Sequence, residues 1–183
     1  MAAAVRPWAR EVLHVWFERL GPADWFGGGE RVDALLRRRF EDTLCATGNR
    51  PAEEFLTDRK TARAAILLFD QIPRNLYRDS AQAFAWDGLA QALTHGFLAR
   101  GWLAGLSRPQ KQFVLMPLMH SEAIADQELS LRLFARHAPG SLDFARSHHR
   151  MIARFGRFPH RNDILGRKSS AAEKRAVANG FSW

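Results

Sequence analysis

Apolar residues recur three or four positions apart along nearly the whole of this chain, and a strict alternation in steps of two is absent. That spacing places them on one stripe of a helix, so each segment must bury a face against another helix. β-branched residues are few, which leaves little from which to build a sheet. Pro7 suits a first helical turn; Trp8, Val12, Leu13, Trp16, Phe17 and Leu20 continue the stripe, and Gly21-Pro22 ends it. Further helices are expected over about 30–46, closed by Gly48-Asn49, and over 57–71, stopped by Pro73. Others follow from a Ser80 cap to about 101, then over 109–138, 141–155 with Gly156 as a cap, and 170–178. About seven helices with short connections predict an all-α domain.

At 183 residues the chain has the length of one domain, taken as 1–183 with residues 1–5 flexible. Such a length can bury roughly 70% of the unfolded surface. A single cysteine, Cys45, excludes an intrachain disulfide and a Cys-rich zinc site. The longest apolar run, Ala64 to Phe69, is far short of a membrane span, and MAAAVRPWAR has no apolar core of a secretory signal. A cytoplasmic protein without membrane contact is expected. The net charge of +8 raises nucleic acid as a partner, but its one dense helical run, Arg37-Arg38-Arg39, sits between Leu36 and Phe40 on an amphipathic pattern. With no zinc-finger spacing, RNP aromatic motif or phosphate loop, nucleic acid is not the expected partner; Gly27-Gly28-Gly29 is read as a linker. The six Trp and thirteen Phe are read mainly as core, with Trp183 folding back to close the bundle.

Polar chemistry is concentrated in three places. A continuous helix over 109–138 puts Phe113, Met116, His120, Ile124, Gln127, Leu131 and Phe134 on one face, with Leu115, Leu118, Glu122, Asp126, Leu129 and Leu133 nearly opposite. A helix apolar on two sides is packed on both, so His120, Glu122, Asp126 and Gln127 fall among core residues. Pro117 should bend it and free a carbonyl close by. Asp70 follows the run AAILLF at a helix C-terminus, where the dipole disfavours a negative charge, and so needs a cation such as Arg74. The segment RFGRFPHRN brings Arg154, Arg157, His160 and Arg161 together among Phe, Gly and Pro. Its guanidiniums either neutralise Asp70, Glu122 and Asp126, or keep one or two forks free for a phosphate or carboxylate. His120, Glu122, Asp126, His148 and His160 are metal-ligand types, but no HExxH spacing exists, so neither a metal nor another cofactor is expected. His120 and Glu122 face apart, so an acid–base pair has to be completed by His148 or His160.

Several of these stretches carry a family resemblance: VWF at 15–17 with WF at 25–26, LLFDQIPRNLYR at 67–78 with AFAWD at 83–87, MPLMHSEAIADQ at 116–127, and HHRMIARFGRFPHRNDILGR at 148–167. Over most of its length the chain resembles a bacterial family known as domain of unknown function 924. The resemblance implies a compact, tetratricopeptide-like all-α fold and no established reaction. The family pattern falls on Asp70, Gln71, Arg74, Asn75, His120, Ser121, Glu122, Gln127, His148, Arg154, Gly156, Arg157, His160, Arg161 and Asn162; Ile72 and Leu115 stand where Phe and Tyr are usual.

The expectation is a small-anion site, with His120, His160 and Glu122 as catalytic candidates. Asp70, Gln71, Arg74, Asn75, Gln127, His148, Arg154, Arg157, Arg161 and Asn162 are its ligand-binding candidates. The alternative is a helical module that binds a peptide or protein and uses the same polar residues only to fix its fold.

Overall fold

In the computed structural model the described residues are 5–181, and they contain α-helical, 3-10 and π-helical segments with no strand among them. Of the flexible amino terminus expected over residues 1–5, residues 1–4 lie outside the described residues, as does Trp183 with the packing expected of it. Contacts group the chain into two compact units, Met1–Gly105 and Leu106–Trp183. Among the described residues no helix is long and apolar enough to cross a membrane.

The first unit is built on α4 (Arg59–Asp70), in which every residue from Thr61 to Asp70 is buried. Asp58 caps it by accepting from the Lys60 and Thr61 amides at 2.9 and 3.0 Å. It packs against α1 (Pro7–His14) and α6 (Asp87–Ala99). α1 runs on into a π-helical turn, Val15–Arg19, that buries Trp16. α3 (Glu30–Thr47) turns Val32, Leu36, Phe40 and Leu44 inward, and Gly48 closes it as expected. Two short helices are additional to the sequence reading. α2 (Pro22–Gly27) begins at the proline expected only to stop α1, and α5 (Ile72–Leu76) begins around Pro73. In both cases proline ends one helix and starts the next, because its missing N–H costs nothing in a first turn.

The second unit corrects the largest helical expectation. Positions 109–138 form α7 (Arg108–Met119) and α8 (Ile124–His137), not one helix. Pro117 has no N–H for the helical ladder, and the chain leaves the helix within three residues. Side chains then satisfy the exit: Ser121 Oγ accepts from the Ala123 amide at 3.2 Å, and the Gln127 amide donates to the Met119 and Ser121 carbonyls, each at 2.7 Å. α8 packs between α7 and α9 (Leu142–Phe155). Gly156 ends α9 in the left-handed region at φ 70°, as its position suggested. A 3-10 turn, Pro159–Arg161, leads to α10 (Ala171–Ala178), which opens on a Ser170/Glu173 capping box. Met151, Ile152, Phe158 and Ala176 form a core cluster here, flanked by Phe155 and Phe181.

Candidate functional site

The sequence-expected residues divide between the units: Asp70, Gln71, Arg74 and Asn75 belong to the first, the remainder to the second.

In the first unit the α4–α5 junction does what the sequence required. Asp70 is fully buried and lies 3.5 Å from Arg74 Nη1, which also donates to the Asp70 carbonyl. Arg74 Nη2 reaches Asp87 Oδ1 at 2.9 Å. Burial alone would depress the Arg74 guanidinium; Asp70 and Asp87 outweigh it and raise its pKa. Gln71 donates its amide N–H to the Asp70 carboxylate, and Asn75 donates back to the Gln71 carbonyl at 3.1 Å. Arg78 holds Asp33 bidentately at 2.8 Å and donates to Asn75 Oδ1 at 3.1 Å. Arg78, Asp33 and Asp87 were not singled out in the sequence, although Arg78 and Asp87 sit inside the IPRNLYR and AFAWD stretches.

In the second unit the arginines choose other partners than expected. Arg157 forks onto Glu173 at 2.7 and 3.1 Å and donates to the Lys168 carbonyl at 2.9 Å. Glu173 is 3% exposed and is held well below the ordinary carboxylate range, chiefly by Arg157 and by the Ser170 amide. Glu122 is matched by Arg167 at 2.8 and 3.0 Å and accepts from the Phe158 amide at 2.8 Å. Burial works to raise the Glu122 pKa, but Arg167 and the Phe158 amide bring it down, so this carboxylate stays ionised and is no proton donor. Asn162 donates to Ser169 and Glu173 at 3.1 and 3.3 Å, and Gln127 caps α7. These side chains tie the 156–170 segment to its surroundings. Arg167 and Glu173 were missed, although Ser170-x-x-Glu173 is a readable capping box. Arg154 is exposed on α9, where with Leu131, Arg146, His149, Arg150 and Ala153 it lines an open groove of about 500 Å³.

What remains gathers around one buried ring. Phe158 has Arg161 over its face at 4.6 Å, with His148 and His160 at 5.4 and 5.7 Å between centroids. His120 lies 6.0 Å from His148. Arg161, 6% exposed, donates to the His120 carbonyl at 3.2 Å. His148 Nδ1 is 2.8 Å from the Phe144 carbonyl, which can only accept; Nδ1 therefore carries the proton and Nε2 the lone pair. Burial pushes the His148 pKa down to about 3, helped by His120. Burial and then Arg161 push His160 to about 4. Both rings are neutral at physiological pH. Among the described residues no group of three His, Cys, Asp or Glu side chains is placed to hold a metal ion.

Residues 12–180 match the family model described as bacterial protein of unknown function (DUF924), and the chain belongs to that family. It is similar to the solved structure of a protein of unknown function, ATU0120, from Agrobacterium tumefaciens, with a TM-score of 0.88 and 32% identity over 94% of this chain and 97% of that one. No curated protein matches the chain.

Proposed function

We propose that the second unit binds a small ligand through an anionic group at the Phe158 cluster, with acid–base chemistry as the reaction class its imidazoles fit. The observation that carries this is the arrangement around Phe158: the buried Arg161 guanidinium lies 4.6 Å over its ring, and the neutral His148 and His160 rings stand beside the same ring. A fixed guanidinium can hold a phosphate or carboxylate, and an unprotonated imidazole can accept a proton from what is held. An anion docked there favours the imidazolium forms, so binding takes up protons. In this reading Arg157 and Glu122 serve structure; Arg161, His120 and His160 serve the ligand.

Calorimetric titration with inorganic phosphate and acetate tests it. Wild type should bind at least one of them with proton uptake, and Arg161→Gln and the milder His160→Gln should each weaken binding about tenfold or more while keeping the wild-type circular dichroism. Absence of heat with either ion, or equal affinity in the folded variants, would overturn it. The peptide-binding alternative is favoured by a separate feature, the α8–α9 groove with Arg146, Arg150 and Arg154 along it. Arg150→Glu separates the two, because it abolishes capture of an acidic peptide and leaves phosphate or acetate binding unchanged.

A further inference from the structure

The first unit contains a pocket of about 150 Å³ between the glycine-rich turn and the α5 segment. Its wall includes Trp25, Gly28, Gln71, Arg74, Asn75 and Arg78. None of this depends on the Phe158 cluster.

Three features decide what it can hold. Gln71 is 7% exposed, and its amide nitrogen must face Asp70, because a carboxylate only accepts. The amide orientation is thereby fixed, and Gln71 Oε1 is an acceptor with no partner among the described residues. Arg78 is fixed as well: Nε and Nη2 are taken by Asp33 and Nη2 also by Asn75, which leaves Nη1 as a donor with no partner among the described residues. The wall therefore presents one acceptor and one guanidinium donor that cannot satisfy each other by rotating. Third is the charge. Both arginines of the wall are already matched, Arg74 by Asp70 and Asp87 and Arg78 by Asp33. A dianion such as phosphate or a dicarboxylate is disfavoured there, although two arginines line the wall. A ligand with one carboxylate for Arg78 and one ammonium for Gln71 Oε1 matches both the hydrogen bonds and the charge. The volume equals that of a cavity known to take a benzene-sized guest, about six heavy atoms.

We propose that this pocket is a site for a small zwitterion of the α-amino acid class. The glycine turn, which composition alone marks as a linker, is one of its walls. Gly28 has φ +60°, and a Cβ there would lie 2.5 Å from Arg78 Nη2, so only glycine lets the turn close against the guanidinium without displacing it from Asp33.

The test is isothermal titration of the full chain with four probes of similar size: L-alanine, propionate, ethylamine and inorganic phosphate. At the site that Arg78→Gln removes, L-alanine should bind at least about tenfold more tightly than each of the other three. Arg78→Gln, at an exposed side chain whose loss does not endanger folding, and Gly28→Ala should each weaken alanine binding about tenfold or more and leave acetate or phosphate binding at the Phe158 cluster unchanged. Gln71→Leu should do the same if it folds. Propionate or phosphate binding as tightly as alanine and depending on Arg78, alanine binding unaffected by Arg78→Gln, or no alanine binding at all would overturn the proposal.

Discussion

Lowering the pH from 6.5 to 4.5 is expected to destabilise the protein by about 2–3 kcal/mol for each of His148 and His160. In the unfolded chain both imidazoles protonate near 6.5, whereas in the folded protein burial holds them down to about 3 and about 4. A group whose folded pKa is depressed in this way binds its proton first in the unfolded state. Unfolding therefore takes up protons, and stability falls as the pH drops through 6.5, by about 1.4 kcal/mol per unit and group. His137, lowered by burial and by Lys111 and Arg136, acts in the same direction. The carboxylates act in a different window. Glu122 and Glu173 are depressed below 4.5, so what they contribute is present above that value and is lost only below it. The loss between 6.5 and 4.5 thus belongs to the imidazoles. Urea unfolding midpoints across this range measure it. His148→Asn, which keeps a donor for the Phe144 carbonyl, should reduce the slope by about half. A stability that stays level from pH 8 to 5 would contradict the burial of these rings.

Replacing Gln127 by Leu should cost about 3 kcal/mol, seen as a fall in Tm of roughly 9 °C for a chain of this size. Gln127 is fully buried. Its amide nitrogen donates to the Met119 and Ser121 carbonyls at 2.7 Å and approaches the Leu118 carbonyl at 3.4 Å. These carbonyls belong to the exit of α7; the Ser121 amide reaches Leu118, but no further helical turn satisfies Met119 and Ser121. Leucine fills much of the space but leaves the Met119 and Ser121 carbonyls buried and unpaired, while the Leu118 carbonyl keeps the Ser121 amide; each such orphaned group costs about 1–3 kcal/mol. Because His120 sits within the same exit, the variant should also weaken phosphate or acetate binding in whatever fraction remains folded. A Tm within about 2 °C of wild type would show that water, not Gln127, satisfies the turn.

The helices were legible wherever apolar spacing and a cap agreed. Gly48, Gly156 and Ser170 mark boundaries that can be read directly, whereas Ser80 caps only a 3-10 turn, Ala81–Phe84, and the helix expected from it begins at Asp87. The spacing failed at residues 120–123, where the apolar period continues across a break. Pro117 was visible there, but the competing acceptors and donors of Ser121 and Gln127 act only once the backbone has already left the helix. The burial argument placed Asp70, His120 and Gln127 inside, but Glu122 and Asp126 are only half-buried, and the distant partners were not legible. Asp70 with Arg74 is a one-turn pair and so could be anticipated, whereas Arg157 with Glu173 and Glu122 with Arg167 span 16 and 45 positions. Pairings over such separations depend on the course of the chain between them. The glycine turn has no phosphate-loop pattern and reads as a linker; its closeness to Arg78 is a tertiary fact.

Long-range nitrogen–proton correlation spectra of the histidine rings, recorded against pH with and without saturating phosphate or acetate, test the reading of the Phe158 cluster most directly. His148 should appear as the neutral Nδ1–H tautomer down to about pH 5, and the His148 and His160 ring nitrogens should shift toward protonation when the anion is added. Rings that titrate near 6.5 and do not respond to either anion would contradict both the buried neutral imidazoles and the guest they are proposed to serve.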